Sequence, residues 1–302
     1  MGPLNLGKTV LAMLLWAACF PLITLGITYA PHLAFAAMRA VIAGGFLVVL
    51  ALAMGRSNPR GLRNWVTLSF IGLGATSLGF LGMFHAAEYV SPGIATVIAN
   101  SQPLLAAGLA GAVLGERLTT KGKVGLFLGF CGIVVIAVPG MLDGGQDSYL
   151  IGIGYVVLAA LGITVSNVML KMVAASVDPL MTIGWQLLIG AVPLAVVSSL
   201  TEDPMAIQWS FAFVAILVAL SLFGSALVYV VWLSVLSQVA LSKANAFSFL
   251  VPIFGLTIGV LLYDETLGAA AIVGIILAIA GVGLVTTGQI VDEPVDVVVA
   301  SH

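Results

Sequence analysis

Apolar residues along this chain come in long runs, separated by short polar or Gly/Pro-bearing punctuation. About 20 apolar residues of helix cross the hydrocarbon core of a bilayer, so each run predicts one spanning helix. The first half predicts helices over 8–28, 32–54, 65–87, 92–114 and 122–140, and the second over 149–170, 179–200, 209–234, 240–262 and 267–287. The connections are short, which makes consecutive helices antiparallel neighbours. Lys8 before an apolar run could mimic a secretory signal. This run is too long for a signal core, contains Trp16 and Pro21 and lacks an A-x-A site, so it is read as a retained first helix. The segment 291–302, acidic at its start, is expected to be a disordered tail.

The pattern repeats. Residues 89–116 align with 238–265 at an offset of 149, which sets Pro103 on Pro252, Ala95 on Ala244 and Glu116 on Glu265. The register continues with Gly125 on Gly274 and Gly132 on Gly281. Pro31-His32-Leu33 and Asp178-Pro179-Leu180 open equivalent helices near an offset of 147. A period of five helices is odd, so the second copy crosses the membrane upside down. The expectation is an all-α integral membrane protein: ten transmembrane helices as two inverted five-helix repeats, 1–140 and 141–290, around a central cavity. Many secondary transporters are built this way, with the solute bound near the midplane where the repeats meet.

Composition makes the bilayer a certainty. Only 7% of residues are charged and 61% are hydrophobic, against about 25% charged in a soluble domain. The net charge of −2 carries no basic patch, which excludes a nucleic-acid partner. With the N-terminus inside, the cytoplasmic segments hold Lys8, Arg56, Arg60, Arg63, Arg117, Lys121, Lys123, Lys171 and Lys243. The positive-inside rule then puts both termini in the cytoplasm. Cys19 and Cys131 lie in apolar runs and read as packed thiols, so neither a disulfide nor a metal or other cofactor is expected.

Helical spacing selects candidate lining residues. Ser221, Ser225, Tyr229 and Trp232 recur at i, i+4, i+8 and i+11, on one face; their repeat mates are Gly72, Thr76, Phe80 and Met83. The small residues read either as a cavity wall or as close helix packing, whereas Tyr229 and Trp232 favour a cavity because their polar tips need partners. Thr96, Asn100 and Pro103 form a second face, opposite Asn245, Phe249 and Pro252. Each proline frees the carbonyl four residues earlier, so these faces could bind an ammonium or hydroxyl, or simply bond across helices. The first helix offers Trp16 and Phe20, and its mate offers Ser166 and Asn167.

Ionisable residues within the runs are few. Arg39 sits alone near the middle of the second helix; an intramembrane charge is a functional candidate, though it could also satisfy carbonyls between helices. His85, one turn from Glu88, could carry protons or be an ordinary interfacial polar group. Glu116 and Glu265 read as caps and loop anchors. No mid-membrane Asp or Glu offers a proton relay, no G-x-x-x-x-G-K-[ST] supports ATP hydrolysis, and no cluster of embedded cations suits phosphate groups. Without G-x-S-x-G, H-E-x-x-H or paired aspartates, an intramembrane enzyme has no support, and a scaffold or receptor would not need matched repeats. What remains is a facilitator, or a carrier coupled through His85, for a neutral or zwitterionic small molecule.

The segments PHLAFAAMR (31–39), Ser91 to Pro103, and LGERLTTKGKVGLFLGFCGIVV (114–135) with its degenerate copy at 263–284 resemble the EamA-type members of the drug/metabolite transporter superfamily. The resemblance covers about 8–288; Asp264-Glu265-Thr266 departs from the usual Gly-Glu-Arg in the second copy. It implies export of amino acids or related metabolites across a bacterial inner membrane by a chain that can act as a monomer. The aromatic stripe of Trp16, Phe20, Phe80, Tyr229 and Trp232 leans toward aromatic or other large neutral amino acids. A nucleotide-sugar or sugar-phosphate exchanger of the same superfamily is the alternative, favoured if Arg39 faces the cavity beside a second cation.

Overall fold

The computed structural model describes residues 2–100, 102, 104–105, 119–142, 147–173, 176–236, 238, 247 and 250–288. Among them the chain is helical and no strand occurs. In chain order the helices are α1 (Pro3–Gly26), α2 (His32–Ala53), α3 (Leu62–Ala86), α4 (Pro92–Ala99), α5 (Thr120–Leu142), α6 (Asp147–Val173), α7 (Pro179–Thr201), α8 (Phe211–Val235), α9 (Leu250–Leu262) and α10 (Ala269–Gly288). Six are long and apolar enough to span a bilayer: α1, α2, α3, α6 over Ser148–Asn167, α7 and α8. Large apolar side chains such as Phe46, Val49, Phe127, Val134, Val192 and Leu261 stand exposed around the molecule. That surface belongs in lipid, where spanning helices need no polar coat.

The helix starts follow the sequence closely. Pro92 and Pro179 occupy the first turns of α4 and α7, where a missing N–H is harmless and φ is already helical. The first helix begins earlier than the expected residue 8, at Pro3, and is interrupted at Ala18. Pro21 explains the hitch, since its ring crowds the preceding turn and removes one helical donor.

Two interruptions have no clear signal in the sequence. α3 widens to π-helix over Gly72–Leu78, and α8 does so over Leu222–Leu227, positions related by the repeat offset. A π turn shifts the phase of every residue beyond it. The stripe Ser221, Ser225, Tyr229, Trp232 and its mate Gly72, Thr76, Phe80, Met83 are therefore each broken midway, which corrects the expectation of one straight face. The small half of the α3 stripe serves packing. A Cβ at Gly72 would lie 2.6 Å from the Gln186 carbonyl oxygen, the Thr76 hydroxyl donates to Gln186 Oε1 at 2.9 Å, and Ser77 donates to the Gly190 carbonyl at 2.8 Å.

Glycine contacts set other helix pairs. Gly44 of α2 meets Gly184 of α7, where an added Cβ would stand 2.8 Å from the Gly184 carbonyl oxygen; neighbouring Gly45 faces open space. α5 lies along α10, with Gly132 against the Gly274 carbonyl and Gly281 against the Gly129 backbone. Close backbone approach between small residues is a general solution for helices in lipid, where dispersion replaces the hydrophobic effect.

Between α9 and α10, Asp264 adopts a left-handed φ of 50°, tolerable because a short polar side chain relieves part of the strain. The turn sends Glu265 back so that its Oε1 accepts from the Gly93 N–H at 2.8 Å, at the start of α4. The anchoring role read for Glu265 is thus seen; Glu116 lies outside the described residues. Beside it the Tyr263 hydroxyl donates to the Pro21 carbonyl. Burial, and then the Glu265 carboxylate, push that hydroxyl above the ordinary tyrosine range.

Candidate functional site

Three groups of polar and aromatic side chains occupy the interior. The first joins α1 to α8. Trp16 stands edge-on to Trp232, with ring centroids 5.3 Å apart, and to Tyr229 at 6.3 Å. Edge-to-face rings are the favoured geometry for aromatic pairs. The three rings are only partly buried, against Met13, Ala17, Val228 and Val251. They form an apolar wall with polarizable faces and three hydrogen-bonding tips, two indole N–H groups and one phenol.

The second group centres on Arg39, which is 3% exposed. Its Nε donates to Ser225 Oγ at 3.0 Å, and its Nη2 to the Gly224 carbonyl at 3.4 Å and to Cys19 Sγ at 3.6 Å. Gly224 and Ser225 lie in the π segment of α8; the widened turn presents that carbonyl and hydroxyl together. The guanidinium also sits 4.5 Å from the Phe80 ring centroid and 5.8 Å from that of Phe84, within cation–π range. Tyr229 packs on both this cluster and the Trp16–Trp232 group.

The third group lies where α2, α3, α6 and α7 approach one another. His32 Nδ1 is 2.8 Å from Glu88 Oε1 and 3.4 Å from Glu202 Oε1. The His32 and His85 rings meet edge to face at 4.1 Å, and Tyr155 lies 4.4 Å beyond His85. Glu202 also accepts from the Leu33 and Ala34 N–H groups at 2.9 and 2.8 Å and from Ser198 Oγ at 2.8 Å. These two N–H groups are orphan donors of the first turn of α2, so a carboxylate from α7 caps α2 from 168 and 169 residues away in sequence. His32 Nε2 and His85 Nδ1 are buried without a partner.

The remaining candidates are distributed. Phe80 belongs to the Arg39 group, and Met83, half-buried, touches the two largest apolar clusters. Phe20 is buried with Ala86, Val90 and Ala95, apart from Trp16. The Thr96 hydroxyl donates to its own helix at the Pro92 carbonyl, and Asn100 Nδ2 to the Thr96 carbonyl, at the end of α4. Ser166 donates to the Ile71 carbonyl at 3.1 Å, beside the π segment of α3, whereas Asn167 next to it is exposed. Asn245, Phe249 and Pro103 lie outside the described residues. His32 and Glu202 are not among the residues that helical spacing selects, although His32 stands in the Pro31-His32-Leu33 segment that marks the helix start. Among the described residues no group of three or more His, Cys, Asp or Glu side chains could hold a metal ion.

Comparison with known proteins agrees with this architecture. The EamA-like transporter family matches the chain twice, over residues 6–138 and 150–287. The chain is 31% identical over 294 residues to the uncharacterized transporter YvbV of Bacillus subtilis, covering 94% of this chain and 93% of that one. It is 33% identical over 258 residues to a chloroplastic WAT1-related protein of Arabidopsis thaliana, covering 83% of this chain but only 61% of the plant protein's length. A probable amino-acid metabolite efflux pump of Escherichia coli is 25% identical, with 90% of this chain and 91% of the pump covered. A solved crystal structure superposes with a TM-score of 0.65 at 20% identity, over 93% of this chain and 98% of the other, which shows the same fold. Apolar helices with the interior just described, matched twice over nearly their whole length by one family, lead to one conclusion: this chain is a multi-pass membrane transporter of the EamA-like family.

Proposed function

We propose that this transporter exports large neutral or aromatic amino acids from the cytoplasm, with the Trp16–Tyr229–Trp232 group as the wall that receives their side chains. The observation that carries the reading is the assembly of three partly buried aromatic rings from α1 and α8 in edge-to-face contact. Such a wall stacks on a ring or packs against an alkyl chain, and its indole and phenol tips can meet polar atoms. The efflux pump of Escherichia coli, named for amino-acid metabolites, supports the substrate class.

Movement is by alternating access, with two inverted halves rocking about the wall and both termini in the cytoplasm. The paired π segments of α3 and α8 are the flexing points, since π turns mark sites of local adjustment within helices. In the positive-inside orientation the His32–Glu88–Glu202 group lies at the outer end. There it ties α2 to α3 and α7, and the ties must part for the outer side to open fully.

The test is uptake of radiolabelled amino acids into proteoliposomes holding the purified protein, with and without an imposed pH gradient. Saturable uptake of phenylalanine or leucine, abolished in Trp232→Ala and indifferent to the gradient, is the expected result and describes a facilitator. Uptake that requires the gradient and disappears in His85→Ala keeps the exporter and makes it proton-coupled. Exchange of a sugar phosphate or nucleotide sugar without amino-acid movement overturns the substrate class.

A further inference from the structure

The Arg39 group has an unexplained electrostatic feature. The guanidinium is buried in the membrane interior, and no carboxylate lies within ion-pair distance of it among the described residues. Its surroundings are neutral: a hydroxyl, a carbonyl, a thiol and two phenyl faces. These hold the cation without cancelling it. A guanidinium carries five N–H donors in a rigid fork, and here Nε and Nη2 are engaged while Nη1 is buried with no partner at all. An uncompensated buried charge is strongly unfavourable, and a buried donor left unsatisfied adds to that. A resident carboxylate would have removed both penalties.

We propose that Arg39 is the carboxylate-recognition point of the transport site, with Nη1 donating to the α-carboxylate of the carried amino acid. The proposal rests on the reading of the aromatic group as the substrate wall. Tyr229 joins the two, packing on the Cys19–Phe80 cluster on one side and on Trp16 and Trp232 on the other, so head group and side chain would be read by adjacent surfaces. Ser225, Gly224 and Phe80 fix the plane of the guanidinium in advance, so Nη1 is held ready to give a charge-assisted hydrogen bond to a carboxylate oxygen. One cation suits a singly charged carboxylate; phosphate esters call for more. Gly224 allows the arrangement, since a Cβ there would press to 3.0 Å from Cys19 Sγ and 3.9 Å from Arg39 Nη2. The substrate class narrows to apolar carboxylates: free amino acids and their α-keto acids qualify, whereas amides, esters and simple amines do not.

The competing role is a staple joining α1, α2 and α8, and the experiment separates the two by changing the ligand before the protein. Purified wild-type protein in proteoliposomes loaded with unlabelled phenylalanine or leucine is assayed for counterflow of the same labelled amino acid. L-phenylalanine, L-phenylalaninamide, L-leucine and L-leucinamide then serve as competitors. The amides should compete about 100-fold more weakly than the acids or worse, as for sites whose polar groups are left unpaired by the wrong ligand. In Arg39→Gln the affinity for the acids should fall to that of the amides, while Arg39→Lys retains part of the discrimination. Equal competition by acid and amide in the wild type overturns the carboxylate site and leaves the amino-acid exporter standing. Counterflow of neither amino acid overturns both. If Arg39→Gln fails to fold, Arg39→Lys carries the assignment: acid-over-amide discrimination unchanged from the wild type overturns Arg39 as the recognition point.

Discussion

Replacing Glu202 by alanine should destabilise the protein more than replacing Asp178, although both carboxylates cap helices that the sequence repeat makes equivalent. Leu33 and Ala34 of α2 correspond, at the offset of 147, to Leu180 and Met181 of α7. Asp178 accepts from Leu180 and Met181 within its own turn, at 3.0 and 3.3 Å. Glu202 accepts from Leu33 and Ala34 across the helix bundle, at 2.9 and 2.8 Å. The Glu202 side chain is 9% exposed and Asp178 19%, and the Arg56 facing Asp178 is 51% exposed at 3.6 Å. A hydrogen bond to a charged group contributes about 1.5–3 kcal/mol, so the two part-buried ones lost in Glu202→Ala amount to about 3 kcal/mol or more. An ordinary N-cap lost in Asp178→Ala costs about 1 kcal/mol, and the exposed Arg56 pair adds less than about 1 kcal/mol. At about 2–4 °C per kcal/mol for a chain approaching this size, Glu202→Ala should lower Tm by about 6 °C or more. The cap lost in Asp178→Ala should lower it by about 2–4 °C on the same scale, and the exposed Arg56 pair adds less than that. Thermal unfolding of the purified protein in detergent, followed by tryptophan fluorescence, measures both. Glu202→Gln, which keeps an acceptor but not the charge, should fall between. Losses of equal size, or Glu202→Ala indistinguishable from wild type, would refute the claim that the capping contact across the bundle is the stronger one.

Gly44→Ala should destabilise, because the new Cβ would stand 2.8 Å from the Gly184 carbonyl oxygen, while Gly45→Ala meets nothing and should be neutral or gain up to about 1 kcal/mol from helix propensity. The paired melting curves should therefore move in opposite directions or only the first should move. Gly281→Ala would drive a Cβ into the Gly129 nitrogen, forcing α5 and α10 apart at about 1–3 kcal/mol, and the same assay reads it. Gly93→Ala would drive a Cβ to 2.6 Å from Glu265 Oε2; limited proteolysis of the 263–268 loop should become faster than in the wild type.

Much of the fold can be read from apolar run length and turn chemistry. The expected 32–54 and 179–200 emerge as His32–Ala53 and Pro179–Thr201, because prolines and polar breaks mark helix ends locally. The site is legible only in pieces. Trp16, Tyr229 and Trp232 are lining candidates by spacing and do meet, but Trp16 and Phe20, four residues apart, fall into different clusters with the Ala18 hitch between them. The stripes on α3 and α8 break midway for a similar reason. Periodicity assumes 3.6 residues per turn throughout, and a π segment breaks that assumption without a clear local signal.

The sequence by itself determined the solvent, the helices and the repeat. A chain with 7% charged residues has no choice but lipid, and in lipid its backbone must bond within helices. Tertiary structure decided what faces what. The partners of Arg39 come from residues 20 to 186 positions away, and the cap on α2 comes from the far end of α7. Such pairings depend on helix rotation and on where glycine lets backbones touch. A one-residue change of phase turns a side chain by about 100° around the axis, so only packed neighbours fix which groups meet.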